Sequence, residues 1–109
     1  MSNSHEEIKI AANIIKNISQ NDLLMHEISS LDRIIQIYFS QNRRDINEEK
    51  QVIDFMFRCL DVRGPDFSIL FTHLSKSSER ENVIKRLHED YEDKFDFNLV
   101  NSSLFEISY

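Results

Sequence analysis

The chain has few of the residues that make tight turns. Its 109 residues include one glycine and one proline, Gly64 and Pro65. Sandwiches and barrels of β-strands turn every few residues and draw heavily on glycine and proline to do so. The sequence therefore predicts an all-α fold in which polar links join the helices. The same scarcity excludes the glycine-rich loops that hold nucleotide cofactors in the two commonest ways.

Cysteine and long apolar runs are also scarce. The single cysteine, Cys59, cannot form an internal disulfide, and its neighbours Met56 and Leu60 predict a buried, unreactive thiol. The chain has no run of about 18 apolar residues, and it opens without the basic and apolar stretches of a signal peptide. We therefore expect a cytoplasmic protein in a reducing compartment that does not span a membrane.

Positively charged residues are outnumbered. Thirteen Lys and Arg stand against 19 Asp and Glu, which gives a net charge of −6. Nucleic acids and anionic membranes attract proteins through basic surfaces, so neither is expected as a partner. The negative net charge favours a positively charged protein as the partner instead.

Alanine occurs only at Ala11 and Ala12, so the helix propensity of the chain is weak. Hydrophobic residues nevertheless make up 40% of the sequence and include eight Phe, which is enough for a packed core. The helices must therefore depend on burial of their apolar faces. Since the length leaves room for one core, residues 1–109 are predicted to form a single helical domain.

Apolar residues recur at helical spacing in five segments. The predicted helices cover residues 5–19, 22–40, 46–62, 66–75 and 78–93. Ser4, Asp45 and Ser78 are the expected side-chain caps of the first, third and fifth helices. Gly64 and Pro65 end the third, since glycine can take left-handed backbone angles and proline cannot continue the helix. The pattern predicts a bundle of four to five short helices.

Two of these helices have notable apolar stripes. In the second, one stripe runs from Leu24 to Tyr38, so residues 22–40 are predicted as one unbroken helix of the bundle core. In the first, Ile10 and Ile14 widen the stripe beyond one side. That helix is therefore either central in the bundle or offers a second face to something else.

The pattern changes near the C-terminal end of the sequence. Phe95, Phe97 and Leu99 alternate with polar residues, and the alternation resumes before Tyr109. A period of two is typical of strands, so residues 95–109 are predicted to form a small β-hairpin. A short sixth helix and an extended arm are the alternatives.

The residues that commonly carry catalysis or hold metals are not arranged for either. The four histidines, at positions 5, 26, 73 and 88, have no pair at the spacing of three or four that puts two ligands on one helix face. Cys59 lies in an apolar series rather than in the electropositive setting of a reactive thiolate. We expect no metal, no cofactor and no enzymatic activity.

The most suggestive local feature lies between residues 89 and 97, where carboxylates surround three aromatic side chains. An apolar anchor in an acidic field suits a basic protein that is steered by charge and held by apolar contact. The predicted partner-binding residues are Glu89, Asp90, Tyr91, Glu92, Asp93 and Asp96. The other interpretation is a charged helix end whose aromatic side chains face the core.

These observations favour a protein-binding module. The leading hypothesis is a stoichiometric inhibitor, of the immunity-protein or antitoxin type, that neutralises a basic partner such as a toxin nuclease. One alternative is an adaptor or secretion chaperone that acts as a homodimer through broad apolar helix faces. A second is a small enzyme whose site is assembled from scattered residues.

Overall fold

A computed structural model describes residues 5–41 and 45–100 of the chain, and these residues are mostly helical. The helices are α1 (His5–Asn17), α2 (Gln20–Met25), α3 (Ile28–Phe39), α4 (Ile46–Arg63), a 3-10 helix (Pro65–Lys76), α5 (Arg80–Asp90) and α6 (Phe97–Val100). No strand occurs in the described residues, so the all-α prediction is confirmed for this part of the chain.

The longest helix, α4, is the element against which α1, α2 and the 3-10 helix pack. Its buried apolar side chains lie on more than one side of the helix, which explains how several elements share it. They are Val52, Ile53, Phe55, Met56, Phe57, Cys59 and Leu60. Burial of Cys59 was predicted and is confirmed, since the residue is 0% exposed.

Both ends of α4 are determined by local chemistry that the sequence predicted. Asp45 Oδ1 accepts hydrogen bonds from the backbone N–H groups of Asn47 at 2.8 Å and Glu48 at 3.0 Å. These bonds satisfy two of the donors that a helix N-terminus leaves unpaired. At the other end Gly64 has a φ of 98°, which residues with a side chain rarely adopt, and its N–H donates to Leu60 O at 3.0 Å.

The predicted helix over residues 66–75 is present, but it is a 3-10 helix. Three residues complete one turn of a 3-10 helix, so side chains three positions apart lie in one column. Ser68, Phe71 and Leu74 form such a column, and each is 0% exposed. Ile69, in the next column, is 40% exposed. Phe67 and Leu70, in the third column, are also buried, so two of the three columns face the core.

The single helix predicted over residues 22–40 is wrong, because the structure divides it into α2 and α3. His26 and Glu27 connect the two helices with extended backbone, at ψ angles of 141° and 150°. The stripe that predicted one helix is not buried throughout either. Leu24 is 48% exposed, whereas Leu31 is 0% exposed.

The break is stabilised by a side chain from α4. Arg63 Nη1 lies within hydrogen-bonding distance of three backbone oxygens: Leu23 O at 2.8 Å, Leu24 O at 2.9 Å and His26 O at 2.7 Å. In an unbroken helix these oxygens would accept from N–H groups four residues further along the chain. The guanidinium group therefore takes the place of the backbone N–H donors that an unbroken helix would have supplied. It connects the end of α4 to the link between α2 and α3, which we call the α2–α3 joint.

The β-hairpin predicted over residues 95–109 is not formed in its described part. Asp96 instead caps the short helix α6: its Oδ1 accepts from Asn98 N at 3.0 Å, and its own N–H donates to Ser68 Oγ at 2.9 Å. Capping thus satisfies backbone groups that strand pairing was expected to satisfy. The rest of the predicted hairpin, residues 101–109, lies outside the described residues.

The link before α5 is held by a serine next to the predicted one. Ser77 Oγ accepts from Glu79 N at 3.0 Å and donates to the buried Glu49 Oε2 at 2.7 Å. Ser78 was expected to cap α5, but Ser77 makes these contacts because the side chain of Ser77 is the one that faces α4. Ser77 therefore joins the start of α5 to the first turn of α4.

Other predicted boundaries differ by a few residues. Helix α1 ends at Asn17 rather than at residue 19, and α5 ends at Asp90 rather than at residue 93. Helix α2 begins earlier than expected because Ser19 Oγ accepts from Asp22 N at 3.1 Å and caps it. The cap predicted for Ser4 lies outside the described residues.

Replacement of Arg63 by alanine is expected to lower the free energy of unfolding by about 2 kcal/mol, since hydrogen bonds to charged groups contribute about 1.5–3 kcal/mol. Arg58→Ala is the matched control, because Arg58 is exposed and reaches one backbone oxygen, Ile18 O, at 3.2 Å. Its loss is expected to stay below about 1 kcal/mol. Chemical denaturation measures both values. Equal losses would contradict a special role for Arg63 at the joint.

Candidate partner-binding surface

The predicted acidic residues lie where α5 ends. Glu89 and Asp90 belong to its last turn, Glu92 and Asp93 follow it, and all four are exposed. The backbone makes one further turn after the helix, in which Phe95 N donates to Tyr91 O at 2.9 Å. We call these four carboxylates the acidic end.

Tyr91 was predicted to bind a partner, with Tyr91 or a phenylalanine after it as the apolar anchor, but the structure places Tyr91 in the core, as the other interpretation expected. The residue is 8% exposed, and its ring centroid lies 4.9 Å from that of Phe57. Its hydroxyl donates to Asp61 Oδ2 at 3.1 Å. Burial and the nearby Asp61 carboxylate raise the pKa of the Tyr91 phenol. The Tyr91 ring is therefore not offered to a partner; it attaches the acidic end to α4.

Asp96 and the phenylalanines beside it are also engaged within the protein. Asp96 is half-buried and caps α6, so it stands apart from the exposed carboxylates. Phe95 is buried, and its ring centroid lies 5.3 Å from that of Phe71. Phe97 stacks on His88 with their ring centroids 4.8 Å apart. An apolar contact with a partner must therefore be made by residues other than Tyr91, Phe95 and Phe97.

An exposed apolar pair that sequence reasoning assigned to the core lies at the end of α2. Leu24 is 48% exposed and Met25 is 82% exposed, and we call this pair the apolar knuckle. The exposed carboxylates of Asp22 and Glu27 flank it along the chain. No local sequence signal distinguishes this pair from core residues, because its exposure results from the break that Arg63 stabilises.

The acidic end and the apolar knuckle are attached to the same terminal turn of α4. Asp61 in that turn accepts the hydrogen bond from Tyr91, which carries the acidic end. Arg63, two residues later, binds the backbone oxygen of Leu24 in the knuckle. The two features are therefore attached near the same end of α4, although more than sixty positions separate Met25 from Asp90 in the sequence.

Two side chains that could take part in catalysis, Cys59 and His73, are engaged within the fold. Cys59 is fully buried, and burial raises the pKa of its thiol to about 12, outweighing the positive charges of Arg58 and Arg63. His73 Nε2 lies 2.7 Å from Asp32 Oδ1 and joins the 3-10 helix to α3. Within residues 5–41 and 45–100 no three His, Cys, Asp or Glu side chains are grouped to hold a metal ion.

A second apolar surface lies between α1 and α3. Isoleucines from both helices line a shallow groove of about 230 Å³, with one acidic and one basic residue beside them. Its lining residues are Glu7, Ile10, Ala11, Ile14, Arg33, Ile34 and Ile37. We call this feature the α1/α3 groove. Of the two expectations for the first helix, a central position or a second exposed face, the groove agrees with the second.

Comparisons of the chain with protein-family models, with curated proteins and with solved structures found no match. In the part of the chain that the structure describes, no helix is both long enough and apolar enough to cross a lipid bilayer.

The buried Cys59 thiol predicts a loss of stability at alkaline pH. Its pKa is about 12 in the folded protein, whereas the ordinary thiol value is 9.0. Between these values the unfolded chain releases the proton while the folded protein keeps it. The free energy of unfolding should therefore fall by up to about 1.4 kcal/mol per pH unit above pH 9.

Denaturation of wild type and Cys59→Ala at about pH 8 and about pH 10 measures this contribution. The variant is expected to be less stable at both values because it leaves a small cavity, but to lose less stability between them. A parallel decline in the two proteins would contradict the raised pKa. Prompt labelling of native Cys59 by a thiol reagent would contradict its burial.

Proposed function

We propose that this protein is a small cytoplasmic binding module that recognises a basic protein partner and has no enzymatic activity of its own. The observation that carries the proposal is the attachment of the acidic end and the apolar knuckle to one turn of α4. A stable interface needs groups that attract the partner and an apolar contact that excludes water. The acidic end would attract the partner, and the apolar knuckle would make the apolar contact.

The acidic end supports the attraction of a positively charged partner. Its four carboxylates are exposed, and the chain as a whole has a net charge of −6. Such a field accelerates encounter with an oppositely charged protein, and salt screens it beyond about 8 Å at physiological ionic strength. The expected contribution is therefore to the association rate more than to the lifetime of the complex.

The apolar knuckle supports retention of the partner after encounter. Met25 is 82% exposed, and its unbranched side chain can fill an irregular pocket. Arg63 holds the backbone beside it through Leu24 O and His26 O. Because the backbone is already ordered, docking costs less conformational entropy than docking of a flexible loop. Asp22 and Glu27 would face basic residues at the rim of the partner's pocket.

Within this class we propose a stoichiometric inhibitor of the immunity-protein or antitoxin type. A toxin that acts on nucleic acid carries a basic surface for its substrate, and a rigid acidic protein can cover that surface. The small size and the preformed surface support this role, since a stoichiometric blocker needs only to bind tightly. A toxin nuclease is the kind of partner that this chemistry fits best.

A second candidate function is favoured by the α1/α3 groove. An adaptor or secretion chaperone that acts as a dimer would use broad apolar helix faces of this kind. The two candidates differ in the surface that the partner contacts. Substitutions at the acidic end should impair the inhibitor, whereas substitutions in the groove should impair the adaptor.

The double variant Glu92→Lys/Asp93→Lys is expected to bind its partner with an association rate about tenfold lower at low salt, because two positive charges then cancel the two carboxylates that remain in the acidic end. Dissociation should change less. The partner would first be captured from the native host by affinity pull-down and identified by mass spectrometry. Surface plasmon resonance at increasing salt then measures both rates.

The matched control is Glu6→Lys/Glu81→Lys, which makes the same change in net charge at exposed positions in the first turns of α1 and α5. Its association rate should stay closer to that of the wild type. Circular dichroism checks that all variants remain folded. Binding of the Glu92→Lys/Asp93→Lys protein at full strength, without salt dependence, would exclude the acidic end from the interface.

Met25→Ala is expected to raise the dissociation rate about tenfold while leaving the association rate nearly unchanged, because the lost contact forms after encounter. The fold should be unaffected, since the side chain is 82% exposed. Ile46→Ala is the control: Ile46 is 45% exposed and lies at the opposite end of α4. Equal dissociation rates for Met25→Ala and wild type would contradict anchoring by the knuckle.

A further inference from the structure

The apolar knuckle carries an oxidisable sulfur in contact with solvent. Met25 is 82% exposed, so a peroxide dissolved in water can reach its thioether. The other two sulfur-bearing side chains that the structure describes, Met56 and Cys59, are both 0% exposed. Burial also raises the pKa of the Cys59 thiol, which keeps the thiol protonated and unreactive. Within residues 5–41 and 45–100, oxidation of the folded protein is therefore directed to Met25.

The backbone on both sides of Met25 is held by hydrogen bonds. Arg63 Nη1 donates to Leu24 O at 2.9 Å and to His26 O at 2.7 Å. His26 N donates to Asp22 O at 3.1 Å and closes the last turn of α2. A rotation of the backbone that turned Met25 towards the core would break these bonds. The exposure of the sulfur is therefore part of the fold.

We propose that oxidation of Met25 to its sulfoxide releases the basic partner, so that the apolar knuckle is an oxidation-sensitive contact. The proposal rests on the proposed function, because it assigns a regulation to the same surface. Hydrogen peroxide transfers one oxygen atom to the sulfur: the O–O bond breaks, a sulfur lone pair forms the S–O bond, and the second oxygen leaves as water. The sulfur is oxidised by two electrons, and the peroxide is reduced.

The step is reversible. A methionine sulfoxide reductase removes the oxygen atom as water and uses two thiols as the reductant, which become a disulfide. The product is the original thioether. The partner can then bind again without synthesis of new protein.

The sulfoxide affects the free protein and the complex differently. In the free protein water solvates the S–O group, since the side chain is 82% exposed. In the complex the group enters a pocket from which water is excluded, and burial of a polar group without a hydrogen bond is unfavourable. Asp22 and Glu27 flank Met25 with exposed carboxylates, which compete with the sulfoxide oxygen for basic groups of the partner. Oxidation should therefore weaken the complex and leave the fold intact.

Treatment of the full chain with hydrogen peroxide, followed by peptide mass mapping, tests the site of oxidation. In the native protein Met25 should gain one oxygen at least about tenfold faster than Met56, because only Met25 is accessible. In denaturant the two rates should be similar, which is the control. Met1 lies outside the described residues and is mapped in a separate peptide. Native Met56 or Cys59 reacting as fast as Met25 would overturn the inference.

Surface plasmon resonance with the partner captured by pull-down tests the consequence. The Met25 sulfoxide protein should dissociate about tenfold faster than the reduced protein, with a nearly unchanged association rate, and the reductase should restore the original rate. Met25→Leu is the matched control, because leucine is apolar, of similar volume and without sulfur. This variant should bind equally well before and after peroxide.

The outcomes separate the inference from the proposed function. Faster dissociation of Met25→Ala, together with an unchanged rate for the Met25 sulfoxide, would overturn the inference and leave the proposed function intact. Wild-type dissociation of Met25→Ala would contradict anchoring by the knuckle and the inference with it. Loss of binding by peroxide-treated Met25→Leu would place the effect of oxidation at another residue and would also overturn the inference.

Discussion

The contact of Arg63 with the α2–α3 joint is the constraint on which the rest of the structure depends. Its guanidinium group binds three backbone oxygens that an unbroken helix would have used internally. The same group lies 4.6 Å from the centroid of the Phe67 ring, at the start of the 3-10 helix. One side chain therefore stabilises the break before α3, the last turn of α4 and the entry to the next segment. The exposure of Met25 is a consequence of that break.

An aromatic cluster stabilises the other half of the proposed surface. The Phe57 ring centroid lies 5.1 Å from that of Phe71 and 4.9 Å from that of Tyr91. Edge-to-face and tilted contacts at these distances favour a defined arrangement over a loose one. Because Tyr91 belongs to this cluster, the carboxylates on either side of it lie on a fixed turn. Both interpretations of residues 89–97 thus hold in part: the aromatic side chains face the core, and four carboxylates face solvent.

The sequence predicted correctly those features that depend on contacts between residues close together in the chain. Asp45 caps α4 and Gly64 ends it through contacts within a few residues, so a local pattern predicted both. The break at His26 depends on Arg63, which lies 37 positions further along, and no glycine or proline marks it. Burial of Tyr91 likewise depends on Phe57 of another helix. Four of the five predicted carboxylates are therefore exposed, whereas Asp96 is half-buried and Tyr91 is in the core.

The most direct test of the proposed surface is an amide NMR titration of the labelled protein with its captured partner. Association through the end of α4 predicts that the largest changes fall at residues 22–27 and 89–93, the two segments that are attached to the last turn of α4. The signals of the α1/α3 groove should change little. Changes concentrated in the groove, with residues 22–27 and 89–93 unaffected, would contradict the account.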